Sequence, residues 1–229
     1  MSAALFAGAM VAYNNLINCW PQFHRLYFPI NVGVAAGIVV LALGPLDLRP
    51  ADVGLVGNTF SEAGMGVAGG LFLASPLFIA LVSPRTAKLI ADRRLEDSSA
   101  GEALFRILFR VPLGTALLEE VAFRGVLFAL LVPYGPVWAA AISSAAFGLW
   151  HVVPTIHMAR ANGVSSIYGA VAAVVAGVAL TFAAGMIFVW LRVQTGGLAA
   201  PWAMHSAVNS YATLAAFLAL RVEGVRASA

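Results

Sequence analysis

Long apolar stretches, separated by short polar connections, restrict this chain to helices that cross a membrane. Between Ser166 and Arg192 there is no charged side chain, and a spanning helix needs about 20 mostly apolar residues. The same reading places spans at roughly 2–20, 27–44, 62–83, 111–132, 137–153, 164–191 and 197–220. Of the 229 residues, 61% are hydrophobic and 10% charged, against about 25% charged in a soluble domain. The expected fold class is all-α: a polytopic membrane helix bundle of about seven to eight transmembrane helices. It forms a single transmembrane domain over 1–229, with no room for a large soluble domain.

Composition removes several functions. One cysteine, Cys19, leaves no internal disulfide framework and no cysteine-rich metal site. The net charge of +3 reads as charge that orients the protein in the bilayer rather than as a nucleic-acid surface. MSAALFAGAM has no basic segment ahead of its apolar run, so no cleavable signal peptide is expected. The most hydrophilic segment, 84–110, holds Arg85, Lys88, Arg93, Arg94, Arg106 and Arg110. Leu104, Ile107 and Leu108 recur there at helical spacing, which predicts an amphipathic surface helix feeding the fourth span. With 84–110 in the cytoplasm, ten of the 13 Lys and Arg fall inside. Arg49 and Arg192 fall outside, and Arg124 lies within a span. Seven spans then put the N-terminus outside and the C-terminus inside. GPLDLRPADVG (44–54) is a polar connection, while VPYGP and QTGG read as turns.

Six polar residues stand out in the apolar second half. They form Glu119-Glu120-x-x-x-Arg124, Phe147-x-x-x-His151 and His205-x-x-x-Asn209. Ionisable groups at membrane depth are costly and usually face a protein interior, where they mark functional sites. Glu120 and Arg124 lie one helical turn apart, so they are expected to pair. Glu119 points about 100° away, toward something else. A carboxylate beside an imidazole suits general-base work on water. An imidazole and an amide one turn apart suit donation to an oxyanion, and equally suit interhelical bonding. Each motif alone also fits a structural hydrogen bond or ion pair, whereas one shared site accounts for all three. The depths are uneven: Glu119 is about 12 Å from the cytoplasmic end of its span at 1.5 Å per residue. His151 is near that surface and His205 nearer the other, so a broken or tilted helix is required if the motifs meet. His157, after Pro154, is expected in a solvated loop, and His24 beside Arg25 carries no signal. Asn14, Asn15 and Asn18 either line a cavity or tie helices together. No G-x-S-x-G, no H-E-x-x-H and no paired intramembrane aspartates occur. A transporter using Glu119 and the histidines as a proton relay would show inverted repeats, and none is evident.

EEVAFR, FGLWH and HSAVN, in this order on hydrophobic segments, resemble the CPBP family (CAAX protease and bacteriocin-processing, also called Abi). That family includes the type II CAAX prenyl endopeptidases and lysostaphin-resistance protein A-like proteins. The resemblance covers about 100–220, with LDLRPADVG as a looser upstream likeness. It implies an intramembrane endopeptidase with a conical cavity open to the cytoplasm and the lipid, acting on a hydrophobic or lipidated peptide. In that resemblance Glu119 is the general base, helped by His151. His205 and Asn209 stabilise the oxyanion, and Glu120 with Arg124 holds the site together. Family members are also described as metalloproteases, in which case Glu119, His151 and His205 would hold Zn²⁺ with water in the open position. The metal-free form is preferred, because the Glu–His pair alone activates water. The alternative is a non-catalytic membrane scaffold or bacteriocin-immunity protein that keeps the fold. Substrate and oligomeric state are not legible.

Overall fold

The computed structural model describes residues 1–20, 26–57 and 59–222, and among them every regular element is helical. His24, Arg25 and Arg226 lie outside the described residues. Helices α1 (Ala3–Asn18), α2 (Tyr27–Leu43) and α3 (Phe60–Ile79) are followed by the short α4 (Pro84–Ile90). A continuous helix, α5, then runs over 100–131. Next come α6 (Pro136–Trp150), α7 (Val152–Ala161), α8 (Ile167–Thr195) and α9 (Ala199–Ala219).

Local chemistry sets the boundaries. Thr59 with Glu62, and Ser99 with Glu102, form capping boxes at the starts of α3 and α5. Gly135 (φ 112°) and Gly196 (φ 72°) take the positive-φ turns before α6 and after α8. Three stretches are long and apolar enough to cross a membrane: Phe60–Val82, Pro136–Ala161 and Ile167–Thr195. Each expected span coincides with a helix, but α5 and α9, which carry five of the six motif residues, are not among those three.

Two expectations change in detail. The amphipathic segment 84–110 is not one helix but α4, a 3₁₀ turn at Arg93–Leu95, and the first turns of α5. The chain around His157 is helical, on α7, and half-buried rather than a solvated loop. Arg192 is buried. It donates to the carbonyls of Gly196, Ala51 and Asp52 (2.6, 3.1 and 3.0 Å) and so ties the 44–54 connection to the end of α8.

Most of α5 is wound in the wide π form, over Arg106–Ala116 and Glu120–Leu127. Pro112 has no N–H to continue an α ladder. Side chains from neighbouring helices meet the altered carbonyl pattern. Asn31 donates to Gly114 O (2.7 Å) and Trp202 to Pro112 O (2.8 Å). Ser210 donates to Ile107 O and Ser143 to Phe123 O (2.8 and 2.7 Å). Such π segments concentrate at functional sites.

Helix α9 packs against α3 through small residues. A Cβ at Gly66 would fall on the Ala200 carbonyl oxygen, and one at Gly70 would lie 2.6 Å from Ala207 Cβ. Such close backbone approach is what small residues at fourfold spacing provide in membranes. It seats the helix that carries His205.

Candidate active site

Two helices and one helix break bring the motifs together. Glu119, Glu120 and Arg124 lie where α5 passes from its first π segment to its second. All three are buried, with Glu120 and Arg124 at 0% exposure. His151 sits where α6 ends and the chain turns before α7, with φ −91° and ψ 3°. That break answers the mismatch in depth. His205 and Asn209 lie one turn apart on α9.

His205 spans both carboxylates. Its Nδ1 is 2.7 Å from Glu120 Oε1 and its Nε2 is 3.6 Å from Glu119 Oε2. Arg124 Nη1 donates to the same Glu120 Oε1 at 3.2 Å. The expected Glu120–Arg124 pair is present, and Glu119 faces Trp150 and His151 instead, while His205 reaches both carboxylates. The guanidinium lies 4.0 Å from the Phe147 ring centroid and 5.0 Å from that of Phe188. Those ring faces favour the cation in a desolvated place.

Glu119 is held differently. Its Oε1 accepts a hydrogen bond from the Trp150 indole N–H at 3.0 Å. Its Oε2 has no hydrogen-bond partner among the described residues. That oxygen faces His151 Nε2 at 3.9 Å and His205 Nε2 at 3.6 Å. His151 Nδ1 bonds the Phe147 carbonyl at 2.8 Å. A carbonyl only accepts, so Nδ1 carries the proton and neutral His151 presents a lone pair at Nε2. His205 Nδ1 likewise carries a proton toward the Glu120 carboxylate paired with Arg124, which leaves its Nε2 facing Glu119 Oε2. Glu119 Oε2 thus faces the two imidazole Nε2 atoms across 3.6–3.9 Å. The His151 side chain is 22% exposed, against 3% for Glu119 and His205, so the site opens on the His151 side. Asn209 lies at this level of α9, half-buried, and its side-chain amide makes no hydrogen bond to a described residue.

One carboxylate oxygen and two imidazole nitrogens are the donor types of a catalytic zinc site. As placed they do not close on an ion. Among the described residues no group of three His, Cys, Asp or Glu side chains is arranged to hold one.

The sequence reading passed over two aromatic groups of the site. Trp150 is the residue before His151 in FGLWH. Phe188 of α8 stacks on His205 with centroids 4.9 Å apart and planes 17° from parallel. An aromatic in an apolar helix carries no signal that separates it from lipid-facing neighbours such as Trp190.

Comparison with known proteins agrees with the motifs. Residues 101–211 match the family described as type II CAAX prenyl endopeptidase Rce1-like. No curated protein and no solved structure matches. The matched segment contains all six motif residues and ends two residues beyond Asn209. Together with the three long apolar helices it marks an integral membrane protein of the protease class. By this match residues 101–211 are similar to the Rce1-like type II CAAX prenyl endopeptidase family, the same family that the three motifs resemble.

Proposed function

We propose that the protein is an intramembrane endopeptidase that hydrolyses a peptide bond in a membrane-associated hydrophobic or lipidated peptide, prenylated CAAX peptides among them. One observation carries the reading: a buried carboxylate with one oxygen tied down and the other facing two imidazole nitrogens. A water donates its hydrogens to such a cluster. Glu119 Oε2 takes one proton as the water oxygen attacks the scissile carbonyl, and His151 shares that proton. Glu119 then returns it to the departing amine. Asn209 offers its amide N–H₂ to the oxyanion, and His205 Nε2 donates there once its ring has taken a proton from solvent. Glu120 and Arg124 fix the His205 ring. Opening on the His151 side, and the basic 84–110 segment, support a cavity reached from the cytoplasm. The catalytic core is the segment of about 100–220, within a single transmembrane domain.

The test is cleavage of quenched fluorescent hydrophobic peptides, farnesylated CAAX peptides included, by the purified full chain in detergent. Glu119→Gln is expected to lower kcat by about 10²–10⁴-fold, the usual worth of a general base. His205→Ala is expected to lose activity as well, and a chelator to leave the wild type unchanged. Inhibition by chelator would assign Glu119, His151 and His205 to a metal. Cleavage that survives both substitutions would place the chemistry elsewhere. No cleavage of any substrate would favour a scaffold or immunity protein that keeps the fold.

A further inference from the structure

Helix α1 lies wholly outside the matched segment 101–211, yet it holds the site's helix break. Asn14, 2% exposed, donates from Nδ2 to the Trp150 carbonyl at 2.8 Å. Asn15 donates to the Leu149 carbonyl at 3.2 Å and accepts from Val153 N–H at 2.9 Å. Asn18 in turn donates to Asn14 Oδ1 at 3.1 Å. A helix that stops inside an apolar bundle leaves carbonyls and N–H groups unpaired. The amides of α1 supply partners on both sides of the break. The interrupting asparagines therefore tie helices together, and they do so around Trp150 and His151.

What they fix is a direction. Trp150 is 1% exposed and edge-on to Phe123, with centroids 5.4 Å apart, and it lies against Tyr13 at 6.1 Å. Its one polar atom, the indole N–H, meets Glu119 Oε1. An indole nitrogen is a donor only, so it selects the carboxylate as acceptor and leaves Oε2 for the imidazoles. Tyr13 also donates to Asn31 (2.6 Å), whose amide bonds Gly114 O on α5. Helix α1 thereby joins the strand of contacts that holds Trp150 to the helix that carries Glu119.

We infer that Trp150 is a positioning residue for Glu119, and that Asn14 and Asn15 of α1 act on catalysis through it. The inference rests on the proposed peptidase reading. Trp150→Phe keeps a ring against Phe123 and deletes the N–H. A hydrogen bond to a charged group corresponds to roughly ten- to a hundredfold in rate. The expected result is a kcat lower by that factor with KM unchanged in the folded enzyme, alongside a lower melting temperature from the lost volume and the orphaned Oε1. Asn14→Ala is expected to lower kcat less, and the double variant to be no slower than Trp150→Phe alone, since groups acting through one another are not additive. An unchanged kcat, a raised KM with kcat intact, or additive losses would overturn the inference. A wild type that cleaves nothing would sink the peptidase reading and leave this one to a direct measurement. The ¹⁵N indole resonance, assigned by its loss in Trp150→Phe, must move in Glu119→Ala and in Asn14→Ala. A resonance that stays in place in either would refute the contact chain.

Discussion

Helices α5 and α8 are both long, and they earn their places in the bundle by opposite means. Helix α8 has 29 residues, and only 11% of its apolar window is buried inside the protein. Its contribution to the site is confined to one turn, where Gly185 and Phe188 meet Arg124, Ser144 and His205. Helix α5 is enclosed from Leu118 to Phe128 and carries two carboxylates and a guanidinium. Its carbonyls accept side-chain hydrogen bonds from α2, α6 and α9. Lipid offers no partner to a polar group, so a helix that carries polar chemistry must be wrapped by other helices. A helix that faces lipid needs only to be apolar.

The difference should be largest at Arg124. It is fully buried and shares Glu120 with His205. Arg124→Met removes one partner of a buried pair and should destabilise by about 3–5 kcal/mol. Unfolding in mixed micelles would measure it. Adding Glu120→Gln should recover part of that loss, because the uncompensated charge goes with it. No recovery would mean that the guanidinium matters for its packing on Phe147 and Phe188 rather than for its charge.

Within α8 the same contrast can be drawn one residue at a time. A Cβ at Gly185 would lie 2.9 Å from Ser144 Cβ and 3.1 Å from Arg124 Nη2. Gly185→Val overpacks that contact and should cost about 2–3 kcal/mol, well above the few tenths regained in helix propensity. Leu180 is 72% exposed on the lipid side. Lipid tails replace its contacts with equally apolar ones, so Leu180→Ala should stay within about 0.5 kcal/mol. Equal losses in the two variants would mean that the exposed face of α8 is covered by protein.

This contrast also explains what the sequence disclosed. Hydropathy located α8 and α3 because a lipid-facing helix has little besides apolar residues. In α5 helical spacing at Leu104, Ile107 and Leu108 located the amphipathic turns that feed the span, while the π winding left no sign. The bonds from Trp202, Ser210 and Asn31 that accompany that winding come from residues about 80 to 100 positions away. The six motif residues were legible because charge and amide groups are conspicuous in apolar runs. Trp150 and Phe188 were not, since burial against Glu119 or His205 changes nothing in their local sequence. The asparagines of α1 were visible as an interruption, but their partners, Leu149, Trp150 and Val153, lie more than 130 residues on.

The starts of the two helices give the smallest contrast. Helix α8 begins at Ser166, whose hydroxyl accepts from Gly169 N–H at 3.0 Å, with no acidic residue in the first turn. Helix α5 begins with Ser99 and Glu102, and Glu102 accepts from the Ser99 backbone N–H at 2.8 Å and from its hydroxyl at 3.0 Å. Those bonds, the backbone one first, hold the Glu102 carboxyl below its ordinary range. A lowered value stabilises the folded state above the unfolded pKa of about 4.3, and that contribution is lost as pH falls through the folded value. Amide protection over the first turn of α5, corrected for intrinsic exchange, should therefore fall between pH 6 and pH 3, while that of α8 stays level. Glu102→Gln should flatten the α5 profile. A fall of equal size at both helix starts would trace the pH effect to the bundle as a whole rather than to the one carboxylate.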